Sequence, residues 1–161
     1  MARAHKLVPT VPYPDVQTVM LGAGSGAANN LSQIDSDKIV KLVGDSRYDL
    51  CVAGDEIEGF IVAVEQATQA GYTIGGVAKM ESGEMSFATA DGLQATPGTG
   101  ALAVGNIVVA GTITPKGTAL TNYPKVCVAT TPANVVHKWR VVALSDTGSG
   151  AVGQRVTIER I

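Results

Sequence analysis

From residue 38 onward the apolar positions recur at every second residue. The segments "KIVKLV" (38 to 43), "RYDLCVA" (47 to 53), "IEGFIVAVE" (57 to 65), "YTIGGVAK" (72 to 79), "EMSFATA" (84 to 90), "NIVVAGTI" (106 to 113), "KVCVAT" (125 to 130), "KWRVVAL" (138 to 144) and "QRVTIER" (154 to 160) are short and rich in β-branched residues. Each is bounded by Gly, Asp, Asn or Pro, the punctuation expected around strands. A further apolar run, Val16 to Leu21, precedes them. Strands repeating at roughly 10-residue spacing predict an all-β fold, a compact barrel or sandwich of nine to ten short strands. The 19 glycines follow no period and cluster where the turns should fall. At most one short helix is expected, over Val64 to Ala70 ("VEQATQA") with Gly71 as its C-terminal cap, and the same residues also read as a loop.

The first 15 residues differ in kind. Pro9, Pro12 and Pro14 alternate with Val8, Val11 and Tyr13, a composition that can neither enter a helix nor donate a full ladder of strand hydrogen bonds. Residues 1 to 15 therefore read as an extended arm that lies either on the body of its own chain or on a neighbouring subunit. Residues 16 to 161 have the length of a single β domain.

The first strand ends in "VMLGAGSGA", whose Gly22, Gly24 and Ala27 fit the glycine fingerprint of a dinucleotide fold, with Asp45 about twenty residues on. That site needs a helix starting near Gly26, because the pyrophosphate rests on the glycine turn and a helix N-terminus together. The residues at that position are "GAANNLSQIDSDK", in which only Leu31 and Ile34 can form a stripe. The stretch is therefore read as a glycine loop closing a strand, and no cofactor is expected.

Charge narrows the partners. Charged residues are 16% of the chain, against about a quarter in an ordinary globular protein, so part of the surface reads as one to be covered. The net charge of -2 gives no reason to expect nucleic acid. Its distribution is uneven: residues 35 to 91 hold eleven acids against four bases, and residues 92 to 161 hold six bases against two acids. Such polarity suits packing of one molecule against another, or merely solvated loops of uneven sign. Cys51 and Cys127 sit in strand-like apolar settings and are expected to be buried free thiols rather than a disulfide. The N-terminus lacks the apolar core of a secretory signal, and no apolar run reaches the length of a membrane span. A soluble protein made in a reducing cytoplasm is the expectation, with no membrane partner.

Candidate chemistry is sparse. Nucleophilic catalysis needs a nucleophile, a base and an orienting group that converge. His5 lies in the arm, and His137 stands beside Lys138 and Arg140, a setting that suits a surface or interface histidine better than a general base. Asp55, Glu56 and Glu58 in "GDEIEG" offer a carboxylate pair or a calcium contact, but without the dense ligand spacing of a calcium loop. Lys116 in "TPKGTAL" has no phosphate-loop context, and no metal cluster of recognised spacing occurs. The residues predict no enzyme, no catalytic site and no metal.

The run from "KIVKLVGD" through "DEIEGFIVAVEQATQAGYTIGGVAKMESGEMSFATADG" to "AVGNIVVAG" resembles the small head-decoration, or cement, proteins of tailed bacteriophages and a related group of phage structural proteins of unassigned role. The positions that carry the likeness are Lys41 and Leu42, Gly54 to Gly59, Gly75 to Val77, Gly83 to Ala88 and Val104 to Val109, within residues 38 to 113. Asn106 stands where that pattern usually has aspartate. The resemblance implies a β-rich, often trimeric, non-enzymatic protein of the virion that binds the major capsid protein on the capsid exterior after synthesis in the host cytoplasm. Val8, Val11 and Tyr13 of the arm, with Trp139 of the tail, are then the candidate interface residues. Two other readings stand beside it. One is a carbohydrate- or protein-binding β-sandwich, for which one Trp, four Tyr and two Phe supply few stacking platforms. The other is a trimeric nucleotide-hydrolysing β enzyme, whose arginine-bearing flexible tail is replaced here by Arg155 and Arg160 in a strand pattern.

Overall fold

The computed structural model describes residues 7–8, 15–24, 26–69 and 71–161. Among them, twelve strands run in chain order as β1 (Leu7–Val8), β2 (Asp15–Leu21), β3 (Ile39–Gly44), β4 (Arg47–Leu50), β5 (Gly59–Gln69), β6 (Tyr72–Lys79), β7 (Met85–Leu93), β8 (Thr96–Pro97), β9 (Ile107–Ala110), β10 (Lys125–Val128), β11 (Trp139–Ala143) and β12 (Arg155–Arg160). All nine period-two segments are strands, so the all-β expectation holds. Among the described residues the only helical turns are three 3-10 turns of three residues each.

The strands divide between two small barrels. In the first, β2, β4, β3, β5 and β6 pair in that order, and β6 returns to β2. In the second, the order is β7, β10, β9, β11 and β12, closed by β12 on β7. The pairs β2–β4 and β7–β10 are parallel, and the other contacts that close the barrels are antiparallel. Five strands leave a narrow lumen. A Cβ on Gly75 would stand 2.4 Å from Leu21 Cδ1 and 2.5 Å from the Ala63 carbonyl oxygen, so the first barrel closes only around a residue without a side chain.

Residues 64 to 69 are strand, not the short helix the sequence suggested. They continue β5 into a hairpin with β6, where Thr68 pairs with Thr73 and Gln69 with Tyr72. Gly71, at φ +82°, lies between β5 and β6 rather than at a helix cap. Of the arm, Leu7 and Val8 pair antiparallel with Ser86 and Met85 on β7 of the same chain.

Each barrel encloses its own apolar residues, and one core joins the two. The first lumen holds Val19, Leu21, Val40, Tyr48, Ile61 and Val77. The largest cluster combines Ala88, Val108, Val126, Val141 and Ile158 of the second barrel with Ile39, Cys51, Ile57, Phe60 and Met80 from the first barrel and its connections. Trp139 is fully buried there, with Phe60 edge-on at 5.7 Å and its indole N–H donating to the Ile57 carbonyl at 2.9 Å. The main chain crosses the same junction: Gly54 N–H donates to the Ala110 carbonyl, and Ala110 N–H to that of Asp55.

A buried ion pair fastens the other side. Asp35 ends a 3-10 turn (Gln33–Asp35) and accepts from the Ser32 N–H, the Lys38 ammonium at 2.7 Å and the Gly117 N–H at 2.7 Å. Lys38 also donates to the Pro115 carbonyl at 2.7 Å, so both charges reach from the first barrel to the loop between β9 and β10. Burial alone would raise the Asp35 carboxyl, but the bonds from Lys38, Ser32 and Gly117 outweigh it and hold it below the ordinary carboxylate range.

Trp139→Ala should destabilise the fold by about 3–5 kcal/mol, and Trp139→Phe by about 1–2 kcal/mol through the unpaired Ile57 carbonyl. Both are read by denaturant melts. Asp35→Asn leaves Lys38 buried without its counter-charge and should destabilise by about 3 kcal/mol or more. Because the folded pKa of Asp35 lies below its unfolded value near 3.9, its contribution is complete above that value. It is lost as pH falls through the folded value, so acid titration of stability should show this loss in the wild type and lack it in Asp35→Asn.

Candidate functional site

The glycine fingerprint folds as a loop. β2 ends at Leu21, and the next ordered turn is the 3-10 turn Ala27–Asn29, so a helix N-terminus is not built over the glycines. Gly22 has φ +109°, and a Cβ there would stand 2.3 Å from the Asn29 carbonyl oxygen, which accounts for this glycine by backbone geometry alone. The loop forms one wall of a cleft of about 340 Å³ whose other residues include Asp49, Cys51, Val52, Ile113 and Lys116. Lys116 donates its ammonium to the Ala28 carbonyl and so ties the loop of the second barrel to the glycine loop.

The acidic turn sits at the junction of the barrels. Asp55 accepts the Val52 N–H at 2.6 Å and pairs with Lys41 at 2.6 Å. Its charge raises the Lys41 ammonium, chiefly through that hydrogen bond. Glu56 accepts the N–H groups of Val136 at 3.0 Å and His137 at 2.8 Å, both in the connection that leads to β11. Glu58 accepts the Leu42 N–H of β3 at 3.1 Å and faces His137 Nε2 at 3.9 Å. Glu56 and Glu58 thus do converge, on His137.

His137 completes a chain across the junction. Arg160 Nη2 lies 3.0 Å from His137 Nδ1. A guanidinium can only donate, so Nδ1 is the acceptor and the neutral ring carries its proton on Nε2, toward Glu58. Arg160 also donates to the Lys138 carbonyl at 2.9 Å. Burial lowers its pKa while Glu56 and Glu58 oppose the change, and it stays a cation. No hydroxyl or thiol joins this chain among the described contacts. Cys51 is buried and directs its Sγ to the Glu56 carbonyl at 3.6 Å. The arrangement can hold two barrels in register.

The other sequence candidates fall elsewhere. Trp139 has no exposed surface in this chain and belongs to the shared core rather than to an outer face. Val8 lies in β1 against β7, while Val11 and Tyr13 lie outside the described residues. Arg155 and Arg160 bound the strand β12, as their pattern indicated. Among the described residues no three or more His, Cys, Asp or Glu side chains are grouped to hold a metal ion. Sequence reasoning missed Asp35 with Lys38, and also Asp91, which accepts the Thr112 N–H at 2.6 Å and faces Lys125 at 3.8 Å. The first had a signal: "SQIDSDK" carries serine and aspartate at capping-box spacing, with a lysine three residues on.

Both cysteines are free and buried. Burial pushes the Cys51 thiol far above its ordinary value and the Cys127 thiol up to about 11. In native protein at pH 8 neither should react with a thiol reagent faster than the protein opens. Both should titrate at once in denaturant, with two thiols counted per chain.

Comparison with protein families, curated proteins and solved structures matched the chain to none of them.

Proposed function

We propose that this protein is a non-enzymatic structural protein that binds the outer surface of a bacteriophage capsid, through the major capsid protein, and stabilises it. The observation that carries the reading is the use made of the acidic turn. Asp55, Glu56 and Glu58 accept main-chain N–H groups from both barrels, so the residues best suited to chemistry act as fasteners. A body pinned in this way loses little freedom on docking, which favours durable attachment. Its low share of charged residues limits the desolvation that docking would require. No helix among the described residues is long and apolar enough to cross a membrane.

In this reading the arm, with Val8, Val11 and Tyr13, supplies anchors to the shell. The test mixes the purified protein with capsids assembled from a tailed-bacteriophage major capsid protein, and follows co-sedimentation and the temperature at which shells open. The expected results are saturable binding and a higher opening temperature. Deleting residues 2 to 14 removes only a two-residue pairing, β1 on β7, among the described contacts. The truncated chain should therefore melt within a few degrees of the original yet bind capsids at least about tenfold more weakly. Failure of the full chain to bind would end the proposal, and unchanged binding by the truncated chain would remove the arm from it.

A further inference from the structure

The outer face of the first barrel carries a row of side chains that its lumen does not use. Tyr48, Leu21 and Val77 fill the lumen, so alternation puts Arg47 on β4, Met20 on β2, and Ile74 and Tyr72 on β6 on the opposite side of their strands. The registers bring them together, because Met20 pairs with Arg47 on one side and with Ile74 on the other. Tyr72 lies against the guanidinium, with Arg47 Cζ 5.7 Å from its ring centroid and Nη1 3.4 Å from its hydroxyl. Val16, 50% exposed, extends the face along β2, and its Cγ1 is 3.1 Å from where a Cβ on Gly76 would stand. None of Val16, Met20, Tyr72 and Ile74 joins a core cluster among the described residues.

Arg47, at the head of this face, is under-used by its own chain. Residues 35 to 91 hold eleven acids against four bases. Of those bases, Lys38 and Lys41 pair with Asp35 and Asp55, and Lys79 Nζ lies 5.3 Å from the Tyr48 ring centroid. Arg47 forms no ion pair among the described residues, although Asp45 and Asp49 stand within two positions of it. Its Nε–H is buried without an acceptor. Beside Nη2 stands Gly44, where a Cβ would come within 3.3 Å, so that edge of the guanidinium is left uncovered. Arginine offers five N–H donors in a planar fork, and this chain engages one of them over a long bond.

We propose that this face docks an apolar segment of another protein through a carboxylate that the segment carries among its aliphatic side chains. The carboxylate takes the Arg47 fork through two parallel N–H bonds, a geometry that a carboxylate fits and a neutral amide does not. Met20, Ile74 and Val16 take the aliphatic groups, and Arg, Tyr and Met are side chains enriched at the centre of interfaces. Asp45 and Asp49 disfavour an incoming carboxylate, so Arg47 alone supplies the preference for one. The face belongs to the barrel that does not hold the Leu7–Val8 pairing, and its use requires no shell.

Side-chain NMR of Met20, Ile74 and Arg47 tests it with two terminally blocked hexapeptides, Gly-Leu-Glu-Leu-Ser-Gly and the same chain with glutamine in place of glutamate. The glutamate peptide should shift the three signals saturably, and the glutamine peptide should bind at least about tenfold more weakly. The difference should shrink as salt is raised. Arg47→Gln should remove it while melting within about 2 °C of the wild type. An arginine kept only for its contact with Tyr72 would instead cost stability on substitution and leave peptide binding unmoved. If Arg47→Gln fails to fold, Met20→Glu, which sets a carboxylate opposite Arg47 on the adjoining strand, must remove the difference. Val104→Glu, in the second barrel, should change neither binding nor preference. The proposal is overturned if the two peptides bind alike, if the shifts fall elsewhere, or if neither peptide binds at concentrations on the order of millimolar. It is equally overturned if the same signals move on dilution of the protein alone, which would put a second copy on the face.

Discussion

The bond from the Trp139 indole to the Ile57 carbonyl is the point on which the two barrels turn. Neither barrel can build a large core around a five-stranded lumen, where Gly75 must forgo a side chain for Leu21 to fit. Burial has to come from between them, and Trp139 supplies the largest side chain for it, with Phe60 set edge-on against its ring. A carbonyl in that position would otherwise be buried without a donor, which is the more costly fault in an apolar setting. The indole answers both needs, apolar area and one directional bond.

Around that apolar centre two carboxylates from one side take main-chain N–H groups from the other. Asp35 receives Gly117, and Glu56 receives Val136 and His137. Main-chain donors in connections have no ladder partner of their own, and a side-chain acceptor satisfies them without requiring a strand. Lys38 then balances Asp35, which keeps a buried charge from standing alone. The acidic turn is engaged in a similar way, with Asp55 and Glu58 accepting main-chain N–H groups within the first barrel.

The strands were legible because their apolar period is two over segments long enough to show it, as in "KWRVVAL" and "QRVTIER". Their closure was not. Pairing β2 with β4 in parallel, or returning β12 to β7 across more than sixty residues, is decided by long-range geometry that leaves no mark on local alternation. The hairpin at Gly71 was misread because "VEQATQA" has helix-forming composition, and the tertiary ladder with β6 overrode it. Trp139 could have been placed from its alternation with Val141, since both face inward on β11. Asp35 and Lys38 lay in a stretch that reads as polar loop, where burial depends on a segment some eighty residues away.

Closure of the second barrel by β12 imposes an order on synthesis. All staves of the first barrel exist once Lys79 has been joined to the chain, whereas the second lacks its closing stave until residues 155 to 160 are made. In the interval Ile39, Phe60 and Met80 lack Trp139 until residue 139 is added, and lack the closed second barrel throughout. A ribosome halted between these points leaves a closed barrel with a bare apolar flank, a species that invites chaperone capture before it can invite anything else.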